Sequence, residues 1–156
     1  MHKIHYMPPV VHLQEILSAS PGEVYNAWTK PELMIRWLFR SATNRIEVPL
    51  QELRSGGRYS ILETTAEGEK IDHYGAYSII VPAERLSFTL EVPWHFPGVT
   101  TVNLTFSPIE GGCLMDFRQS GVDPRIVEDN WKAMFGQLKR VVSGGLGVGT
   151  KMGRSL

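Results

Sequence analysis

Residues 75–91 read GAYSIIVPAERLSFTLE, a strand, a corner and a second strand. Pro82 has no N–H to give to a ladder, so the first strand ends there. Alternation then resumes, with Leu86, Phe88 and Leu90 on one face and Ser87, Thr89 and Glu91 on the other. A link this short joins antiparallel neighbours, because parallel strands need a long crossover. Gly75 is expected to let the strand bend and to leave space beside Tyr77, two residues on and on the same face.

The same period of two extends outward from this hairpin. From Arg45 onward six segments carry it: RIEVPLQEL, GRYSILETT, KIDHYGAYSIIV, RLSFTLEV, TTVNLTFSPI and CLMDFRQSGV. Turn residues separate them, among them Ser55-Gly56-Gly57, Pro97-Gly98 and Glu110-Gly111-Gly112. The pattern predicts an antiparallel meander. Upstream, residues 10–20 predict a first strand. Ser20, Pro21 and Glu23 then have the spacing of a capping box with proline at the first helical position. Val24, Ala27 and Trp28 give that helix its apolar face, and PELMIRWLF restarts a second short helix at Pro31. Downstream, Asp123-Pro124 opens the longest helix, with Val127, Trp131, Met134, Phe135, Leu138 and Val142 at helical spacing and Gly144-Gly145 as its stop.

These elements predict an α+β fold: a curved antiparallel sheet wrapped round a long C-terminal helix, with two short helices after the first strand. The expected organisation is an arm over residues 1–9, one domain over 10–143 and a flexible glycine-rich tail over 144–156.

Sixteen basic and sixteen acidic residues cancel, so nothing in the charge balance calls for nucleic acid. No stretch has the length and apolarity of a membrane span, and the opening MHKIHYMPPVV lacks the apolar run of a signal peptide. Cys113 is the only cysteine, which excludes an internal disulfide. The expectation is a cytoplasmic protein, monomer or homodimer, without a cofactor.

Five stretches carry a resemblance: SASPGEVYNAWTKPELMIRW (18–37), SGGRYSI (55–61), GAYSIIVPAERLSFT (75–89), TTVNLTFSPIEGGCLMDFRQSGV (100–122) and NWKAMFGQLKRVV (130–142). Together they resemble the activator-of-Hsp90-ATPase homologue 1-like family of the START-like, helix-grip (SRPBCC) superfamily. The resemblance implies an apolar cavity between sheet and long helix. Members of the superfamily bind lipids, steroids, polyketides or plant hormones, and some are cyclases, aromatases or hydratases. The family name adds an expectation of chaperone association and stress response. The matched positions are architectural, so no catalytic residue carries over. One segment departs from the pattern: WLFRSATN (37–44) stands where a glycine-proline usually follows the second short helix.

Binding of a small apolar or amphipathic molecule, lipid-like or polyketide-like, is therefore the expected function. A cyclase-, aromatase- or hydrolase-like activity in the same cavity and a chaperone-associated interaction protein are the alternatives. Tyr59, Ile61, Tyr77, Phe88, Leu90, Phe106, Met115 and Phe117 are the expected cavity residues of the sheet, with Met134 and Leu138 from the long helix. His73 shares a face with Gly75 and Tyr77 and is a candidate polar handle, weighed against the commoner solvent-facing or structurally bonded histidine. Trp94, His95 and Phe96 lie between strands and suggest a cavity rim, or else a loop folding its own apolar side chains inward.

No metal site is expected. His2 and His5 lack a third ligand, and no Cys/His or carboxylate cluster stands out elsewhere. Cys113 reads as a small apolar filler. GLGVGTK (145–151) has the wrong order and context for a phosphate loop. Glu63, Glu91, Asp116 and Arg118 could enter the cavity as orienting groups, but more often such residues are the solvated face of antiparallel strands, and His73, Glu63 or Arg118 converging inside would favour the enzyme alternative.

Overall fold

The computed structural model describes residues 9–147. Seven strands form one sheet: β1 (Val10–Leu17), β2 (Arg45–Gln51), β3 (Arg58–Thr64), β4 (Lys70–Val81), β5 (Arg85–Leu90), β6 (Thr100–Ile109) and β7 (Gly112–Ser120). Helices α1 (Pro21–Thr29) and α2 (Pro31–Met34) follow β1, and α3 (Pro124–Gly147) follows β7. The spatial order is β1-β7-β6-β5-β4-β3-β2, with every neighbouring pair antiparallel. The meander from β2 to β7 is the one its short links require. The two small helices carry the chain from β1, on one edge, to β2 on the other.

Local chemistry sets the helix boundaries. The Ser20 hydroxyl accepts from the Glu23 N–H at 3.1 Å and the Glu23 carboxylate accepts from the Ser20 N–H at 3.0 Å, which ends β1 at Leu17, short of Ser20. Lys30 precedes a proline and is extended, which separates α1 from α2. After Met34 the second helix gives way to turns, and Phe39 sits at a left-handed φ of 56°. Asp123 accepts from the Arg125 N–H at 2.9 Å at the start of α3. That helix does not stop at Gly144-Gly145 but runs on to Gly147. Glycine weakens a helix by about 1 kcal/mol, yet it keeps the N–H that proline would remove, so it does not force an end. The remainder of the expected tail lies outside the described residues, as do His2 and His5.

The core lies between the sheet and α3, closed by α1. Trp28 meets Trp37 edge-on at 4.7 Å, and Phe117 lies 4.6 Å from Trp131 and 5.2 Å from Phe135. Both of the buried indoles nearest α2 find acceptors: Trp28 donates to the Met115 sulfur at 3.3 Å and Trp37 to the Ala27 carbonyl at 2.9 Å. Among the described residues, no helix is long and apolar enough to cross a membrane.

Gly75 leaves no empty space beside Tyr77. A Cβ there would lie 2.0 Å from the backbone carbonyl oxygen of Thr89. The glycine is needed because the Thr89 backbone of β5 passes close to β4 there, just before the register shift between Tyr77 and Ile79. The expected pocket at this position is therefore corrected to a backbone contact.

Candidate functional site

A cavity of about 480 Å³ opens between the sheet and α3, at the end away from α1. Its sheet wall is Glu63 of β3, His73 of β4, Leu90 of β5 and Gln119 of β7. The opposite wall is α3, through Val127, Asn130, Trp131, Met134 and Gln137 among others. Val92, His95 and Phe96 close one side, and Phe39, Arg40, Ser41 and Asn44 the other.

The apolar walls converge on a polar end. His73 is 2% exposed, and burial pushes its imidazole down to about 4, so the ring is neutral near pH 7. Its Nδ1 lies 3.3 Å from the Ile61 carbonyl, which can only accept, so Nδ1 carries the proton and Nε2 keeps its lone pair. That Nε2 points at Glu63 Oε1, 3.6 Å away. The other oxygen of Glu63 accepts from the Asn44 amide at 2.8 Å. Asn44 in turn donates to the Phe39 carbonyl and accepts from the Ser41 N–H, each at 2.8 Å. Phe39 stacks on His73 with centroids 3.8 Å apart, and its N–H donates to the Met134 sulfur at 3.0 Å. The second polar ring, His95, has its centroid 6.5 Å from that of His73.

A second polar chain fixes the deep wall. The Trp131 indole donates to Gln119, whose amide donates to Thr100, whose hydroxyl donates to the Leu90 carbonyl, at 2.8, 3.0 and 2.6 Å. All three side chains are buried, so the chain ties α3 to the sheet and leaves none of these polar groups orphaned.

The expected site residues divide into three groups. His73, Leu90 and Met134 line the cavity, with His95 and Phe96 of the rim stretch. Tyr59, Ile61, Tyr77 and Phe88 face instead a separate void of about 20 Å³, which has room for about one water. Phe39, Trp131 and Leu90 border both spaces and form the partition. Phe106, Met115, Phe117 and Leu138 line neither, because α1 fills the concave face there: Tyr25 meets Phe106 edge-on and Trp28 covers Met115 and Phe117. Trp94, 55% exposed, faces solvent and is not part of the rim.

Glu63 is not on the solvated face. It is in step with Tyr59 and Ile61 on β3, and that alternation was the available signal. Asn44, Phe39 and Gln119 carried no motif. Asp116 does lie outside, accepting from Gln14 and meeting His12 and Arg118 within 3.2 Å. Cys113 is fully buried, and burial pushes its thiol up, as befits a filler. The absence of a ligand cluster, expected from sequence, is also corrected: Glu63, His73 and His95 each bring one ligand-type atom within 4.8 Å of the others. They belong to β3, β4 and the β5–β6 loop, so only folding assembles them.

The family model for activator of Hsp90 ATPase homolog 1-like protein matches residues 18–143. A crystal structure of a Chromobacterium violaceum protein superposes with a TM-score of 0.78 at 28% identity, covering 87% of this chain and 98% of that one. The solution structure of an AHSA1-like protein from Aeromonas hydrophila gives 0.77 at 18% identity, with 95% and 99% covered. A Nitrosomonas europaea protein gives 0.73 at 21%, with 87% and 95% covered. No curated protein matches the chain.

Proposed function

Because the chain belongs to the activator of Hsp90 ATPase homolog 1-like family, we propose that it binds a small amphipathic molecule in the cavity between sheet and α3. The observation that carries this reading is the cavity itself. About 480 Å³ falls within the range of small-molecule sites, and apolar walls meeting a few convergent polar groups are their usual lining. The mouth favours an anionic end on the ligand: Arg36, Arg40 and Arg140 line a shallow depression that shares Arg40, Ser41 and Gln137 with the cavity. The apolar body would lie along Leu90, Val127 and Met134. A cytoplasmic setting fits the lone, buried Cys113.

The test is titration with a fluorescent fatty-acid analogue and with its neutral alcohol counterpart of equal length. Both should bind saturably. Asn130→Trp, at an exposed lining position, should block both probes at least tenfold. Arg40→Glu should weaken the acid more than the alcohol. Absence of saturable binding by protein with an intact melt overturns the reading. The enzyme reading is favoured by one observation, the convergence of His73 and Glu63 inside the cavity. A bound ligand recovered chemically altered from the wild type and unaltered from Glu63→Gln would select it.

A further inference from the structure

We propose that Glu63, His73 and His95 form a binding site for a divalent transition-metal ion of the zinc class at the polar end of the cavity. The inference stands apart from the ligand reading, since it rests on these three side chains and not on what fills the apolar part.

The first argument is geometric. Ligand atoms about 2.0–2.1 Å from a tetrahedral ion lie about 3.3–3.5 Å from one another. Glu63 Oε1 and His73 Nε2 are already 3.6 Å apart, and all three ligand atoms fall within 4.8 Å. Only His95 has to close the remaining distance. It is exposed on the loop between β5 and β6, so its side chain can move without disturbing the core.

The second argument is the disposition of the other polar atoms. A metal-binding histidine characteristically donates its second ring N–H to a carbonyl or carboxylate, which fixes tautomer and ring plane. His73 has that arrangement: Nδ1–H faces the Ile61 carbonyl, and Phe39 stacked at 3.8 Å holds the ring. Glu63 is prepared in the same way. Asn44 occupies Oε2 at 2.8 Å and leaves Oε1 for the shared point. A buried ring lone pair and a carboxylate oxygen then face each other, both as acceptors. A cation between them satisfies both, where their direct approach would be repulsive.

The donor set selects the ion. Two imidazoles with one carboxylate suit zinc, iron, nickel or copper, whereas magnesium and calcium prefer all-oxygen shells. Three protein ligands leave a fourth position, and because Glu63, His73 and His95 all line the cavity, that position can be reached from it.

The test uses the full-length, untagged protein. Zn²⁺ affinity is measured by competition with a chromophoric chelator, and the site is observed directly by the visible d–d absorption of Co²⁺. One equivalent should bind, with the intense bands of a four- or five-coordinate ion, and excess Zn²⁺ should bleach them. Glu63→Gln and His95→Gln should each weaken Zn²⁺ at least tenfold. Asn44→Ala, which touches no ion, should weaken it by about 10–100-fold. His95→Gln alters an exposed side chain and should keep the wild-type melt, so its loss of binding cannot be ascribed to unfolding. The double variant His2→Ala/His5→Ala should bind like wild type. The proposal is overturned if no stoichiometric binding occurs, if His95→Gln and Glu63→Gln bind like wild type, or if binding disappears with His2 and His5.

Discussion

Gly75→Ala should destabilise the protein substantially, although the change adds one methyl group to a strand. The backbone φ of Gly75 is not in the left-handed region, so alanine's own conformational preferences are not the obstacle. The obstacle is the Thr89 carbonyl, 2.0 Å from where the Cβ would sit. Ordinary contact begins near 3.4 Å, so β4 and β5 must separate by more than an ångström. Four hydrogen bonds resist that movement. Tyr59 donates to the same carbonyl at 2.6 Å, Ala76 N–H to the Thr89 hydroxyl at 3.0 Å, and Tyr74 and Glu91 exchange two backbone bonds at 2.8 and 3.1 Å. Losing two or three of these at about 0.5–1.5 kcal/mol each gives a cost of about 1–4.5 kcal/mol. The stiffer unfolded chain returns about 0.4–1 kcal/mol, which at the central values leaves a net loss of about 2 kcal/mol. Urea unfolding followed by tryptophan fluorescence should show a lower midpoint with an unchanged slope. An unchanged or higher midpoint would mean that the space beside Gly75 is open, and the backbone contact would be refuted.

The converse substitution is in α3. Gly136 has nothing within 4 Å of its absent Cβ, so Gly136→Ala should stabilise by about 0.5–1 kcal/mol, read from the same urea curves; a lowered midpoint would contradict it. Trp131→Ala removes the buried indole that separates the two voids and deprives Gln119 of its donor, and it should cost about 3–5 kcal/mol. Near-native stability of that variant would mean that the helix stripe does not hold the sheet.

Most of the fold was legible because it is written in local rules. Alternation from Arg45 onward needs only the two-residue period of a strand, and the Ser20–Glu23 box needs only four consecutive residues. The order from β2 to β7 followed from links too short for any other pairing, whereas the place of β1 beside β7 did not. What a period cannot specify is which part of an inner face is covered. Phe106, Met115 and Phe117 alternate as faithfully as Leu90 does, yet α1 lies over them and leaves Leu90 at the cavity. Charge misled the reading of Glu63. A carboxylate on a strand is ordinarily solvated, and the partner that makes its inward position tolerable, Asn44, belongs to a loop with no regular pattern. The space assigned to Gly75 failed for a similar reason, since the close approach of the Thr89 backbone is a matter of how two strands pair, which no residue type announces.

Residues 37–44, where the resemblance implied a glycine-proline, also build the polar end. A glycine at the end of the second short helix could take a left-handed φ without cost. Here Phe39 takes it, at 56°, and a non-glycine residue in that region carries a strain of about 1–2 kcal/mol. Its surroundings hold it there: the N–H on Met134, the carbonyl on Asn44 and the ring flat against His73. Placing an aromatic at this turn achieves two things that glycine cannot. It sets the plane of the His73 ring, and it contributes the partition between the 480 Å³ cavity and the 20 Å³ void. Asn44, at the far end of the same segment, then fixes Glu63 in front of that ring. The chemistry at the polar end therefore depends on residues 37–44 of this chain, through Phe39 on the ring of His73 and Asn44 on the carboxylate of Glu63.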